Sequence, residues 1–323
     1  WRWRWRRWWS CDDNRFILML HKSEFRAMGS QILVAIESPS IPEELDNVPN
    51  WFEEWEDSLS RFRPNSELSK VNRQAGIPTQ VSKTFADVFE TALYAEQSSG
   101  GLVTPVLLDR MNELGYDRDF DLLPLQSDRY HAQIFSTQPR VGEISWDADS
   151  ATICIPPEIH LDFGGTAKGW AALQAAERLG KFGPALVNAG GDIAISHARK
   201  DDEPWRVGIA NPFDRSENLE ILQLPLCGVA TSGRDKRRWL QGDHWNHHII
   251  DPQTGLPAET EILTVTVVAP SVIDAELAAK TIFILGMKAG LVWLDERPDL
   301  AGMLILESGE CLYSQRMEEY LWS

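Results

Sequence analysis

The sequence is poor in cysteine, and its few thiols are widely separated. The four cysteines, at positions 11, 154, 227 and 311, form no CxxC pair and no spacing typical of a zinc site. No window reaches the roughly 18 consecutive apolar residues of a membrane-spanning helix. The chain also lacks a repeat of fixed period and the nucleotide-binding patterns GxGxxG and GxxxxGKS/T. These absences argue against a disulfide framework, a zinc protein, a transmembrane segment and a repeat architecture.

Basic residues are scarce relative to acidic ones. The 323 residues contain 31 Lys and Arg against 48 Asp and Glu, which gives a formal net charge of −17. Such an excess of carboxylates repels the phosphate backbone of nucleic acids at long range, so we expect no nucleic-acid partner. With 43% hydrophobic and 24% charged residues, the composition is that of an ordinary globular protein.

The first nine residues, WRWRWRRWW, differ from the remainder of the chain. They alternate Trp with Arg and hold five of the 14 tryptophans. We interpret residues 1–14 as an appended or disordered arm and residues 15–323 as a single domain, with lobes at about 15–150 and 151–323. No apolar signal region precedes Cys11, which favours a cytoplasmic location and leaves an exported or periplasmic one open.

Strand and helix patterns alternate along the chain without regular βαβ spacing. Apolar patterns predict strands over 26–37, 151–155, 159–163, 205–209 and 262–268, with a strand–turn–strand over 186–195. Helices are predicted over 41–63, 82–98, 167–179 and 273–285, and a polar loop over 117–140. This order indicates an α+β fold or a mixed sheet.

Two glycine pairs follow apolar runs and are candidates for close approach to a ligand. Residues 162–169 (DFGGTAKG) lie between a short apolar run and a predicted helix, where backbone N–H groups can bind an anion. Lys168 would add a positive charge there. The alternative is a tight turn with a solvated lysine. Residues 188–192 (NAGGD) alone predict a hairpin turn, although both pairs could line one cleft.

Three of the seven histidines fall within five positions, at His244, His247 and His248. Histidine is the ordinary general base near neutral pH, and Asp251 could orient such a base or share its proton. Adjacent strand residues face opposite sides, so His247 and His248 are poorly placed to ligate one metal ion. In the alternative interpretation, His244 and His247 are surface residues. Surface exposure is less expected for His248, because an apolar pair follows it.

Glu276 and Lys280 are four residues apart on the last predicted helix. This spacing and order favour an exposed ion pair. Their neighbours are Ala, Leu and Ile, which leaves a second interpretation open, in which the charged pair faces a cleft.

Taken in order, these segments resemble the FAD:protein FMN transferase family, also called ApbE. The resemblance covers nearly the whole body of the chain and rests on Ala27–Ser30 (AMGS), Ser58–Asn72 (SLSRFRPNSELSKVN), Gly100–Pro105, DFGGTAKGWA, VNAGGDIA, WRVGIANP, ATSG and HHIIDPQTGLP. It implies an α+β fold of mixed, largely antiparallel sheets packed with helices, in a two-lobed architecture with a ligand cleft between the lobes.

The resemblance implies an enzyme that binds FAD and usually Mg²⁺, transfers the FMN moiety to a Thr or Ser hydroxyl of a target flavoprotein, and releases AMP. It implies His248 as the catalytic base, with Asp251 in the site. The implied FAD contacts are Met28, Gly29, Asn72, Asp162, Gly164, Gly165, Thr166, Lys168, Gly190, Gly191, Asp192, Thr231, Ser232, His248 and Lys280. Two alternatives stay open: an FAD-binding protein with weakened catalysis, and an FAD pyrophosphatase that yields FMN and AMP.

The metal site is where this chain departs from the family pattern. The resemblance implies ligands at Ala167, through its backbone carbonyl, and at Glu276. Many members have Asp at the position of Glu276 and Thr at that of Lys280. A Glu oxygen can bind Mg²⁺, but an ammonium cannot be a ligand and repels the ion. Lys280 could instead replace the metal in part, as a point charge on phosphate. A carboxylate usual in the family near Val103 is also missing.

Overall fold

The computed structural model describes residues 18–123, 126–127 and 141–322. The predicted arm at 1–14 lies outside the described residues, as does most of the predicted loop at 117–140. The part of that loop that is described contains one turn of 3-10 helix, Phe120–Leu122, and a two-residue strand.

The described residues contain six α-helices and four short 3-10 helices. The α-helices are α1 (Glu43–Leu59), α2 (Glu67–Arg73), α3 (Lys83–Ser99), α4 (Leu108–Glu113), α5 (Ala167–Gly180) and α6 (Val272–Asp295). The other 3-10 helices are Val141–Glu143, Lys200–Asp202 and Gln315–Tyr320. The helices predicted over 41–63, 82–98 and 167–179 correspond to α1, α3 and α5 within a few residues at each end.

The strands of the described residues are mostly short. In chain order they are β1 (Met19–Ala27), β2 (Ser30–Ser38), β3 (Thr79–Gln80), β4 (Gln126–Ser127), β5 (Ser145–Asp147), β6 (Thr152–Cys154), β7 (Ala185–Ala189), β8 (Asp192–Ile195), β9 (Trp205–Ala210), β10 (Asn218–Leu224), β11 (Gly228–Gly233), β12 (Arg238–Gln241), β13 (His244–His247), β14 (Ile250–Asp251), β15 (Leu256–Pro257), β16 (Ile262–Ala269), β17 (Ala301–Leu306) and β18 (Cys311–Tyr313). The predicted strand–turn–strand at 186–195 is confirmed as β7 and β8. No strand forms at 159–163.

One antiparallel sheet organises the chain. Its strand order is β1-β2-β7-β8-β11-β16-β17-β18, and every neighbouring pair is antiparallel. The prediction of an α+β fold with mixed, largely antiparallel sheets is confirmed. Among the described pairings, the contact of β12 with β4 is the parallel one. Because β2 pairs with β7, the main sheet joins strands from both sides of residue 150.

The continuous strand predicted over 26–37 is wrong, because a hairpin turn divides it into β1 and β2. Met28 and Gly29 form a two-residue turn with positive φ at both residues, 49° and 60°. Hairpins favour this turn because its twist matches that of the strands, but Met rarely adopts positive φ. Of the two turn residues, only Gly29 is therefore of a type that indicates such a turn. The turn is supported by α1, where Glu56 Oε1 accepts a hydrogen bond from Met28 N at 3.0 Å.

Both faces of the main sheet are covered. Along β7, Ala185 and Val187 contribute to the core beneath α1, α3 and α5, whereas Leu186 contributes to the core on the opposite face. Trp205 of β9 and Leu222 of β10 close that second face. This alternation follows from the two-residue period of a strand. The helical layer therefore lies on one side of the sheet.

Helix α6 extends further than the sequence predicts. The expected stop at Gly286 is a kink with φ of 76°, and the helix continues to Asp295. The 24 residues have a mean hydropathy of 1.6 in their most apolar window, which makes α6 long and apolar enough to cross a membrane by length and composition. It nevertheless packs against the main sheet, with Ile282 and Phe283 in one core with Val265 and Val267 of β16.

The close approach of β11 to the start of α6 can be tested at Gly228. A Cβ at this position would overlap the backbone of Ser271 and Val272, which cannot move without displacing α6. We expect Gly228→Ala to lower the free energy of unfolding by about 1–3 kcal/mol. Gly142→Ala is the matched control, because its Cβ would meet no atom within 4 Å. Equal urea midpoints for the two variants would contradict this packing.

Candidate active site

A cavity of about 340 Å³ lies where the β1–β2 turn, the end of α1, the start of α5 and the middle of α6 converge. Its volume is in the range of small-molecule sites. Nine of the predicted site residues line it: Met28, Gly29, Asp162, Gly164, Gly165, Ala167, Lys168, His248 and Lys280. Residues distant in sequence therefore meet at one concave surface.

The glycine-rich segment forms a tight turn into α5. The carbonyl oxygen of Phe163 accepts hydrogen bonds from Thr166 N at 3.0 Å and Ala167 N at 2.8 Å. Gly164 and Gly165 line the cavity beside this helix N-terminus, where the helix dipole favours an anion. The buried hydroxyl of Thr166 has no hydrogen-bond partner among the described residues. This end of the cavity is suited to a phosphate group.

Four charged side chains form a buried network beside that turn, which we call the charge cluster: Lys168, Asp192, Glu276 and Lys280. Lys168 pairs with Asp192, and its Nζ lies 3.6 Å from Glu276 Oε1. Lys280 Nζ donates to the same Glu276 oxygen at 2.9 Å. The interpretation of Lys168 as a solvated lysine is wrong, because its side chain is 17% exposed. The exposed-pair interpretation of Glu276 is also wrong, because Glu276 is 2% exposed.

Burial and charge act in opposite directions within the cluster. Burial raises the pKa of Glu276 and Asp192 adds to that rise, while Lys280 and Lys168 lower it. For Lys168, burial alone would lower the pKa, but the carboxylates of Asp192 and Glu276 outweigh it and raise the pKa. Lys168 therefore stays charged. A buried ammonium of this kind is costly unless carboxylates hold it in place.

The two adjacent histidines have different surroundings. His247 is buried, which contradicts its interpretation as a surface residue, whereas His244 is exposed. The Nε2 of His247 contacts the carbonyl of Ala258 at 3.1 Å, and its Nδ1 accepts from Ile249 N at 3.3 Å. Both ring nitrogens of His247 are thus engaged with the backbone. Burial lowers the pKa of His247 to about 4.

His248 faces the cavity. Its Nδ1 is buried and has no hydrogen-bond partner among the described residues. Burial lowers the pKa of His248 well below its ordinary value, and the positive charges of Arg237, Lys280 and Lys168 lower it further. The imidazole is therefore neutral at physiological pH, which is the form that can accept a proton.

Asp251 does not contact His248 in the part of the chain that the structure describes. Its Oδ1 accepts from Gln253 N at 2.8 Å, and its carbonyl accepts from Gly255 N, also at 2.8 Å. The carboxylate caps the following turn, so the expectation that Asp251 orients the base receives no support from the geometry. The environment of His248 is set by α5, α6 and Arg237 instead.

The other predicted site residues lie outside the described cavity wall. Asn72 bonds both backbone groups of Leu161, with Oδ1 accepting from N at 2.8 Å and Nδ2 donating to O at 2.9 Å. This side chain takes the place of a strand partner for the segment that precedes the glycine-rich turn. Because Asn72 already bonds the backbone groups of Leu161, this residue needs no hydrogen bonds from a neighbouring strand. Asn72 thereby stabilises the backbone that leads into the glycine-rich turn.

The second glycine pair turns between β7 and β8, next to the charge cluster. Gly190 has φ of 71°, and a Cβ there would lie 2.6 Å from Ser30 Oγ. Gly191 O accepts from Thr231 N at 3.1 Å, and the Thr231 hydroxyl bonds that of Thr266 at 2.9 Å. Ser232 is also buried. None of these residues lines the described cavity, so direct contact with FAD stays a prediction for them.

The three arginines that line the cavity, Arg61, Arg63 and Arg237, were not predicted from the sequence, and two of them have informative contacts. Arg61 is 6% exposed, and its guanidinium lies over the rings of Phe62 and Tyr116, at 4.3 and 4.5 Å. Its Nη1 donates to Tyr116 O at 2.7 Å, while Nη2 is buried without a partner among the described residues. Arg237 Nη2 donates to Gly29 O at 2.9 Å. Both occur in polar stretches, which ordinarily indicate solvent exposure.

The chain is similar to known proteins over most of its length. The sequence profile of the ApbE family matches residues 28–304. The chain is 30% identical over 279 residues to a FAD:protein FMN transferase of Treponema pallidum, covering 81% of this chain and 76% of that one. It is 28% identical over 264 residues to the Salmonella typhimurium FAD:protein FMN transferase, covering 78% and 73%.

Solved structures show the same fold. The ApbE protein of Thermotoga maritima superposes with a TM-score of 0.81 at 20% identity, covering 94% of this chain and 100% of that one. The flavin transferase ApbE of Vibrio cholerae superposes with a TM-score of 0.75 at 22% identity, with the same coverage.

The neutral state of the two histidines can be tested by titration. We expect the rings of His247 and His248 to stay neutral at about pH 6, below the ordinary histidine pKa of about 6.5. The pKa values of both rings are lowered because burial and neighbouring cations disfavour the imidazolium. Ring nitrogen NMR shifts, assigned with His248→Gln and His247→Gln, would measure this. Protonation of His248 at or above pH 6.5 would contradict the described electrostatics.

Proposed function

The chain belongs to the ApbE family, and we propose that it is an FAD:protein FMN transferase, which transfers the FMN moiety of FAD to a Thr or Ser hydroxyl of a target flavoprotein and releases AMP. One observation of the site carries this proposal. A neutral His248 and the ammonium groups of Lys168 and Lys280 face one cavity, next to the N-terminus of α5. The first can accept a proton, and the others can bind a pyrophosphate.

The reaction requires proton removal from the acceptor hydroxyl. As the hydroxyl oxygen bonds to the phosphorus of the FMN moiety, the bond from that phosphorus to the bridging oxygen breaks, and AMP leaves with the electron pair. The hydroxyl proton passes to His248. No protein group among the described residues competes for the lone pair of its Nδ1. General-base catalysis of this kind contributes roughly 10²–10⁴-fold to a rate.

The remaining requirement is to stabilise negative charge on the phosphate oxygens. Lys168 and Lys280 provide fixed positive charges, and the N–H groups at the start of α5 provide aligned dipoles. These groups are already in place, so little reorganisation is needed during the reaction. Arg61 lines the same cavity with an unpartnered Nη2, and we assign it to FAD binding.

The metal ion implied by the family does not fit the residues that are present. Both carboxylate oxygens of Glu276 have partners, because Oε1 accepts from Lys280 and Oε2 accepts from Gly169 N at 3.1 Å. Within the described ranges, no group of three His, Cys, Asp or Glu residues could hold a metal ion. Lys280 would also repel a cation bound at Ala167 or Glu276. We therefore derive no step through Mg²⁺.

Loss of the base should abolish transfer without abolishing FAD binding. We expect His248→Ala to lower the rate of AMP release and of covalent flavin attachment by about 10²–10⁴-fold. The acceptor would be a flavoprotein domain that an ApbE relative flavinylates, with product measured by in-gel flavin fluorescence. His244→Ala, which alters an exposed histidine of the same segment, is the matched control.

The same assay separates the alternatives. AMP release without covalent flavin would identify an FAD pyrophosphatase, which uses water as the nucleophile. Stoichiometric FAD binding without AMP would identify an FAD-binding protein that lacks transfer activity. Either result would contradict the proposed transferase.

Arg61 provides a second test, directed at binding. We expect Arg61→Lys to weaken FAD binding by about 10-fold, because lysine keeps the charge but loses the planar fork of donors. Quenching of flavin fluorescence on titration with protein would measure the dissociation constant. Arg73→Lys is the control, because Arg73 is exposed and donates to Pro64 O away from the cavity. Equal affinities of the two variants for FAD would show that Arg61 does not contribute to FAD binding.

A further inference from the structure

We propose that the ammonium group of Lys280 takes the place of a divalent cation at the FAD pyrophosphate, so that transfer by this protein requires no metal ion. The inference rests on the proposed function. It goes further by naming which side chain supplies the charge and by assigning Glu276 as its positioning residue.

Lys280 lies at the end of the cavity that is suited to phosphate. Its side chain is 14% exposed and lines the cavity, and its Cε passes within 3.9 Å of where a Cβ of Gly165 would lie. The ammonium thus lies beside the glycine-rich turn suited to phosphate. A lysine binds phosphate as a point charge, which is the electrostatic contribution of a cation.

The ammonium group of Lys280 is held in position by Glu276. Glu276 lies one helical turn earlier on α6, and its Oε1 accepts from Lys280 Nζ at 2.9 Å. Glu276 is itself fixed, because its Oε2 accepts from Gly169 N in the first turn of α5. A Cβ at position 169 would overlap Glu276 Oε2, so the carboxylate can hold this position only beside a glycine. The carboxylate therefore fixes Lys280 relative to the N-terminus of α5.

The positive and negative charges of the charge cluster are balanced. The ammonium groups of Lys168 and Lys280 offset the carboxylates of Asp192 and Glu276, which leaves a formal sum of zero. Mg²⁺ is usually held by one or two carboxylates together with substrate phosphates. Here both carboxylates are already paired with lysines, so a dication would bring two further positive charges next to Lys280.

The transfer step stays balanced without a metal ion. The acceptor oxygen forms a bond to the FMN phosphorus, the bond to the bridging oxygen breaks, and AMP leaves with the electron pair. His248 takes the hydroxyl proton. Lys280 gains and loses no atom, because it only stabilises the negative charge that develops on the phosphate oxygens.

The test compares wild type with Lys280→Thr, in EDTA and in Mg²⁺. We expect wild type to flavinylate the acceptor at equal rates in both conditions. Lys280→Thr should lose about 10²-fold in EDTA, since it lacks one charge aimed at the transition state, and should recover at least about 10-fold in Mg²⁺. Lys288→Thr, an exposed lysine of the same helix, should behave as wild type.

Metal-ion binding, measured without reference to activity, provides a separate test of the inference. In Mn²⁺ titrations followed by electron paramagnetic resonance, we expect no bound ion on wild type and one on Lys280→Thr, lost again when Glu276→Gln is added. Wild type that binds Mn²⁺ through Glu276, or that loses activity in EDTA and regains it in Mg²⁺, would overturn the inference. Wild type that produces neither AMP nor flavinylated acceptor in any condition would instead contradict the proposed function, while the Mn²⁺ titration would still decide the inference.

Discussion

The ion pairs of Lys168, Asp192, Glu276 and Lys280 connect two helices that line the cavity with one strand of the main sheet. Lys168 belongs to α5, Asp192 begins β8, and Glu276 and Lys280 lie on α6. Buried charges are stable only when they are paired and hydrogen-bonded, so removing one member would leave its partner uncompensated. The relative positions of the two helices and the sheet are therefore constrained by the same side chains that present positive charge to the cavity.

These cations also determine the state of the base. Together with Arg237, they lie close enough to lower the pKa of His248, beyond the effect of burial. One arrangement thus provides charge for an anionic substrate and keeps the imidazole unprotonated. A bound pyrophosphate would offset part of that positive charge and make a proton on His248 less costly. Substrate binding and proton acceptance are in this way favourably linked.

Local patterns predicted much of the framework. The tight turn before α5, the β7–β8 hairpin at Gly190-Gly191 and three of the helices were visible as apolar periodicity bounded by glycine or serine. The β1–β2 turn was missed because Met28 adopts a positive φ that its residue type disfavours. The continuation of α6 past Gly286 was missed because glycine ordinarily ends a helix, whereas packing against the sheet stabilises the second half here.

The sequence by itself determined the family resemblance, the antiparallel α+β character and the candidate residues His248, Lys168 and Lys280, because these depend on residue type and short-range order. Only the tertiary structure decided which of those residues share a cavity, that Glu276 is buried, and that Asp251 caps its own turn. It also brought Arg61 into the cavity wall. The physical reason is that burial and ion pairing arise between elements far apart in the chain, and no local pattern records which neighbour a side chain meets.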